Sequence, residues 1–245
     1  MINNHEIDYR IFGEEMQYVE VELDPNETAI AESGAFMMMD DGIQMQTIFG
    51  DGSQQQGGGL MGKLFSAGKR LLVGESLFMT AFTNAGYGKK KVSFASPYPG
   101  KIIPLNLQQL GGAVICQKDA FLCAAKGVAV NIEFQRKLGT GLFGGEGFIM
   151  ERLEGDGMAF MHAGGHVFER ELLAGELIQI DTGCLVGYTL GVNFDIQFIS
   201  GIRNKIFGGE GIFFATLRGP GKVWIQTLPV SRLAGRILAY GTYKQ

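Results

Sequence analysis

Polar and apolar residues alternate along several short stretches of the chain. Tyr18 to Leu23 reads YVEVEL, Val128 to Phe134 reads VAVNIEF, and Val192 to Ile199 reads VNFDIQFI. A period of two sends successive side chains to opposite faces, so each stretch predicts a half-buried strand. Three other stretches are rich in Phe, Ile, Leu and Thr: LFMTAF from Leu77, FIMERL from Phe148 and IFFATL from Ile212. Aromatic and β-branched side chains suit a pleated, packed surface, which predicts strands there too. Helical spacing occurs in GLMGKLFSAGKRLLVG, where Leu60, Met61, Leu64, Phe65, Leu71 and Leu72 fall on one face apart from the Ala67-Gly68 step. Its only local charges are Lys63, Lys69 and Arg70, and the preceding GDGSQQQGGG reads as a flexible connector.

The strand-like stretches recur in order. Glu75, Glu146 and Glu210 each sit in a Gly-Glu-small motif, followed by an apolar run, a G-x-G turn and a second apolar run. The turns are Gly86-Tyr87-Gly88, Gly155-Asp156-Gly157 and Gly219-Pro220-Gly221. This pattern predicts one β-hairpin used three times. A second motif precedes each: AIAESGAFM from Ala29, VICQKDAFL from Val114 and IQIDTGCLV from Ile178. With Phe36, Phe121 and Leu185 taken as equivalent, Glu146 follows Phe121 and Glu210 follows Leu185 by 25 residues, and Glu75 follows Phe36 by 14 more. The surplus falls in the stretch holding the basic helical segment. The expected fold class is all-β: three internal repeats of β-hairpin units in a pseudo-threefold sandwich or barrel-like arrangement, with one short helix inserted in the first repeat. No Pro/Ser-rich linker divides the units, so a single domain spanning 1–245 is expected, with repeats near 18–98, 99–164 and 165–230.

Composition agrees with many short strands and tight turns. The 245 residues are 46% hydrophobic and 19% charged, with 38 Gly and 6 Pro. A formal charge of −4 disfavours a nucleic-acid partner, which needs a basic face. Cys116, Cys123 and Cys184 have no C-x-x-C spacing and sit among apolar residues, so inert buried thiols in a reducing compartment are expected. The polar start MINNHEIDYR has no apolar secretory core, and a cytoplasmic location is expected.

The stretch LGTGLFGGEGF contains a literal G-x-G-x-x-G at Gly139, Gly141 and Gly144. A dinucleotide loop must open a helix so that phosphate meets its N-terminus. Here a Phe-rich strand stretch follows, and the nucleotide reading is rejected. His162 and His166 have H-x-x-x-H spacing, but the intervening Gly164-Gly165 opposes a helix, so surface or turn histidines are expected rather than a zinc pair. Neither a P-loop nor a G-x-S-x-G is present in the chain.

PGKIIPLNL from Pro99, GLFGGEGF from Gly141, GGEGI from Gly208 and GPGKVWIQT from Gly219 together resemble the family named for altered inheritance of mitochondria, over roughly Val19 to Val230. The chain is similar to its bacterial members, which carry no assigned function. The resemblance implies an all-β fold related to that of the tryptophan RNA-binding attenuation protein, with internal pseudo-threefold symmetry. It further implies eukaryotic relatives that act in mitochondrial inner-membrane organisation. DPNET at Asp24 departs from the P-G-E turn expected there, which puts that turn in doubt.

Candidate functional residues follow from the same pattern. If the repeats surround an axis, Glu75, Glu146 and Glu210 would converge, either capping turns or holding a hard cation. In the basic segment, Leu60, Leu64, Phe65, Lys69 and Arg70 would cover a sheet edge, dock a partner, or touch an anionic membrane through residues 58–73. The leading functional reading is a non-enzymatic β scaffold with a homo-oligomeric or protein partner and no cofactor. The alternatives are a ligand- or metal-ion-binding protein built on the repeated glutamates, and an enzyme without a recognisable motif.

Overall fold

The structure is a computed structural model that describes residues 6–32, 34–49, 78–136, 147–199 and 212–242. Nineteen strands and one α-helix lie among these residues. The first group is β1 (Asp8–Phe12), β2 (Tyr18–Leu23), β3 (Thr28–Glu32), β4 (Phe36–Met39), β5 (Ile43–Phe49), β6 (Phe78–Asn84) and β7 (Lys90–Ala95). The second is β8 (Gly100–Asn106), β9 (Ala113–Gln117), β10 (Phe121–Ala125), β11 (Ala129–Arg136), β12 (Phe148–Glu154) and β13 (Met158–Gly164). The third is β14 (Val167–Leu172), β15 (Leu177–Asp181), β16 (Leu185–Thr189), β17 (Asn193–Ile199), β18 (Ile212–Arg218) and β19 (Gly221–Gln226). Helix α1 (Val230–Thr242) ends the described chain.

The strands form four antiparallel sheets, ordered β1-β2-β7-β4, β5-β6-β3-β10-β13-β8, β11-β12-β9-β16-β19-β14 and β15-β18-β17. Adding six to every strand number of the second sheet reproduces the third. The same step carries β9-β12-β11 to the fourth sheet, and taken backwards carries β10-β13-β8 to the β4-β7-β2 part of the first. Among the described residues no sheet closes on itself, so the architecture is a stack of sandwiched layers rather than a barrel.

Three apolar cores fill the spaces between successive sheets. Val19, Val21, Leu23, Val92 and Phe94 of the first sheet meet Ala29, Phe82 and Phe160 of the second. Ile30, Leu105 and Met161 on the other face of the second sheet meet Val114, Leu153 and Trp224 of the third. Ile115, Met150 and Leu185 of the third meet Ile196 and Leu217 of the fourth. The middle sheets are thus buried on both faces, which is why AVICQ (β9) and FLCAA (β10) are buried at every position. The first sheet has a wet face, and β2 alternates accordingly, with Val19, Val21 and Leu23 inside.

The G-x-G turns differ from the hairpin expectation. The strands flanking them do not pair: β6 and β7, β12 and β13, and β18 and β19 lie in different sheets. Both edges of β6 are taken by β5 and β3, and both edges of β7 by β2 and β4. Each turn is therefore a corner that hands the chain to the facing sheet. The consecutive strands that do pair are instead β1–β2, β5–β6, β11–β12 and β17–β18.

The DPNET turn keeps the form seen elsewhere in the chain. Asn26 has φ 72°, and Gly175 at the β14–β15 turn has φ 80°. Asn tolerates the left-handed region better than other side-chain-bearing residues. In both turns a glutamate three residues on accepts from the backbone: Asp24 N donates to Glu27 Oε2 at 2.7 Å, and Leu173 N to Glu176 Oε2 at 2.8 Å.

Candidate functional site

The residues singled out from the sequence, Glu75, Glu146, Glu210, Leu60, Leu64, Phe65, Lys69 and Arg70, all lie outside the described residues, as does the expected inserted helix. The described chain contributes three other features, of which the first is an open strand edge.

Among the described residues strand β4 pairs only with β7, through Phe36 to Phe94, Met38 to Ser93 and Met39 to Val92, with a bulge between Phe36 and Met38. Its whole length is apolar and exposed: Phe36 39%, Met37 47%, Met38 45% and Met39 38%. The strands at the same place in the other sheets, β10 and β16, carry the same bulge, after Phe121 and after Leu185. They are covered by a further strand, β3 on β10 and β9 on β16, and are buried almost throughout. Among the described residues β4 has no such cover, and β15, six strands on from the covering strand β9, ends the fourth sheet and pairs only with β18. On β15, Leu177 is 44% exposed and Gln179 and Asp181 are open to solvent. A bare edge offers a row of unpaired N–H and C=O groups, and exposed methionines add a soft, adaptable apolar surface.

The second feature is a buried carboxyl with a half-buried one near it. Glu151 on β12 lies opposite Cys116 of β9, facing the core between the second and third sheets. It is fully buried, and neither carboxyl oxygen has a hydrogen-bond partner. Burial, with the charge of Glu32 adding to it, pushes its pKa up to about 9 against the opposing pull of Lys118. Glu32, at the end of β3, is raised by burial to about 7, with Lys118 again opposing and Asp119 assisting. Lys118 and Asp119 belong to the 3-10 turn between β9 and β10. Glu151 is thus a neutral acid at neutral pH, with the proton affinity of a general acid but without solvent contact. The sequence hides it inside FIMERL, where nothing marks it as buried.

Third, the two histidines separate. His162 on β13 is 1% exposed, against the expectation of a surface or turn position, because both faces of its sheet are covered. Its ring meets Tyr98 edge-on at 4.4 Å, neither nitrogen makes a hydrogen bond of good geometry, and burial lowers its pKa to about 4 against a weaker opposing pull from the Tyr98 backbone. His166 is exposed in the turn before β14, its backbone N donating to Thr227 Oγ1 at 2.9 Å. Among the described residues no cluster of His, Cys, Asp or Glu is arranged to hold a metal ion. A groove of about 650 Å³ elsewhere is lined by Asp8, Asp24, Glu27 and Asp156, and not by Glu151 or Glu32. Cys116 and Cys123 are buried and Cys184 half-buried, and burial raises all three thiols, which leaves them poor nucleophiles.

Fold and site together define a β-sandwich protein of stacked antiparallel sheets, with an apolar edge at β4 that no strand covers among the described residues. Over residues 9–228 the chain matches the family model described as Mitochondrial biogenesis AIM24, and it belongs to that family. It is 29% identical over 226 residues to an uncharacterized protein of Streptococcus pyogenes serotype M6, covering 91% of this chain and 86% of that one. An X-ray crystal structure of a Streptococcus pyogenes protein aligns with a TM-score of 0.73 and 23% identity, over 96% of this chain and 100% of that chain. That likeness is one of fold. Among the described residues no helix is long and apolar enough to cross a membrane.

Proposed function

We propose that this protein is a non-enzymatic β scaffold that works by association, with the β4 edge as its contact surface. The observation that carries the reading is the exposure of Phe36, Met37, Met38 and Met39, where β10 and β16 are covered by another strand. An edge of this kind draws a further strand by main-chain pairing, with alternate side chains supplying specificity. The reading includes three successive units in one chain, supported by the six-strand step that relates the sheets and by the bulge that follows Phe36, Phe121 and Leu185. It also includes a reducing, cytoplasmic setting, supported by three free cysteines.

The test compares wild type with Met38→Lys by light scattering across micromolar concentrations. The wild type is expected well above its 26.6 kDa chain mass, and the variant at the chain mass with an unchanged melting temperature. Wild type at single-chain mass throughout, or a variant that assembles as before, rejects the reading.

A further inference from the structure

We infer that β4 of one copy pairs antiparallel with β15 of a second copy, so that molecules of this chain join head to tail. The inference rests on the association reading and names its partner and register.

Two junctions inside the chain supply the template. β10 pairs with β3 through Cys123 to Ala31, Ala124 to Ile30 and Ala125 to Ala29. β16 pairs with β9 through Gly187 to Cys116, Tyr188 to Ile115 and Thr189 to Val114. In each, the first residue after the bulge faces the next-to-last residue of the covering strand. After the bulge in β4 comes Met38, and the next-to-last residue of β15 is Ile180. The rule therefore sets Met38 against Ile180, Met39 against Gln179 and Asp40 against Ile178.

The two edges are complements left over from one construction. β4 and β15 lie in the first and fourth sheets and do not pair with one another. Ile180 packs on the core between the third and fourth sheets, so the pairing lays Met38 on the rim of that core. Apolar side chains along β4 then meet Ile178 and Ile180, which are only half-buried. Each copy has one β4 and one β15, so the contact is heterologous and propagates until a ring closes or a filament grows.

The experiment uses the full chain with Cys184→Ser, which removes the half-buried thiol. Met38→Cys and Ile180→Cys are made separately and mixed under mild oxidation. Directly opposed antiparallel residues have Cα atoms about 4.5–5.5 Å apart, within disulfide reach. Expected are a covalent dimer in the mixture alone, and a ladder of multimers from the double variant on a non-reducing gel. Met39→Cys with Gln179→Cys is run alongside, because one of two adjacent pairs has the closer spacing.

Cross-linking within one chain overturns the inference, showing that the molecule closes its own seam. Efficient homodimers of Met38→Cys alone also overturn it, in favour of β4 pairing with β4. If Met38→Lys disperses the assembly while neither cysteine pair cross-links, β15 is the wrong partner and the association reading stands. If Met38→Lys leaves the assembly intact, both fall.

Discussion

Glu151 on β12 and Glu32 on β3 belong to facing sheets, and the charge of Glu32 adds to the burial that keeps Glu151 protonated. Both carboxyls hold protons above the pH at which the unfolded chain releases them. The unfolded groups ionise near 4.5, while the folded ones are raised to about 9 for Glu151 and about 7 for Glu32. The folded state therefore binds more protons between those limits, and its stability falls as pH rises from 4.5 to 7 through both groups and on to 9 through Glu151. Glu151→Gln removes the larger share. Its melting temperature should match wild type near pH 4 and exceed it by several degrees at pH 8, since each kcal/mol is about 2–4 °C at this size. Equal melting curves for the two proteins at pH 8 would show that Glu151 carries no such penalty.

Asn84 holds a corner. Its Nδ2 donates to Leu23 O at 2.9 Å and Gly88 O at 2.8 Å, and its Oδ1 accepts from Gly86 N at 2.9 Å, all from a fully buried position. Removing a buried side chain leaves its backbone partners unsatisfied, at about 1–3 kcal/mol for each buried group. Asn84→Ala should lower stability by about 2–4 kcal/mol, read as a shift in the urea midpoint with an unchanged slope. A shift below about 0.5 kcal/mol would mean that water replaces the side chain at this corner.

Gly164 is wedged where β13 meets the chain after β19. Its N donates to Gln226 Oε1 at 2.8 Å, and a Cβ added there would lie 2.0 Å from the Leu228 carbonyl oxygen. Because that neighbour is backbone, it cannot rotate away. Gly164→Ala should destabilise by about 1–3 kcal/mol, the usual range for overpacking. Gly111→Ala serves as the comparison, with φ 86° and nothing within 4 Å, so only backbone strain acts there. Thermal unfolding of the pair checks the order, Gly164→Ala being the lower.

Helix α1 stands apart from the cores. Ile237 is 64% exposed, Leu238 70% and Tyr240 86%, and the exposed Arg232–Asp181 ion pair at 3.2 Å is worth little. Ending the chain after Pro229 should move the melting temperature by no more than about 2 °C, a change of well under 1 kcal/mol. A larger loss would show that α1 closes a core surface.

Local pattern carried much of this fold. YVEVEL coincides with β2 because only one face of its sheet is covered, so alternation survives in the sequence. The equivalence of Phe36, Phe121 and Leu185 falls on the same bulge in three sheets. Partners across long separations left no such trace: a G-x-G turn between two apolar runs fits a hairpin and a corner equally well. Glu151 escaped notice because Met150 and Glu151 are both buried, which no single-faced alternation allows; it follows only from the third sheet being covered on both faces. The run FMMM in β4 is plain in the sequence, but exposure gives it meaning, and exposure depends on β4 ending its sheet.

The corners bear on how the molecule comes apart. Since β6 and β7, β12 and β13, and β18 and β19 each stitch two neighbouring sheets, no layer can open without drawing strands out of the next. Local fluctuations are then confined to edges, and deep amides in β3, β9, β10 and β16 have only one way to reach solvent. In hydrogen exchange they should report a single opening free energy shared across the cores, as a single cooperative unit does.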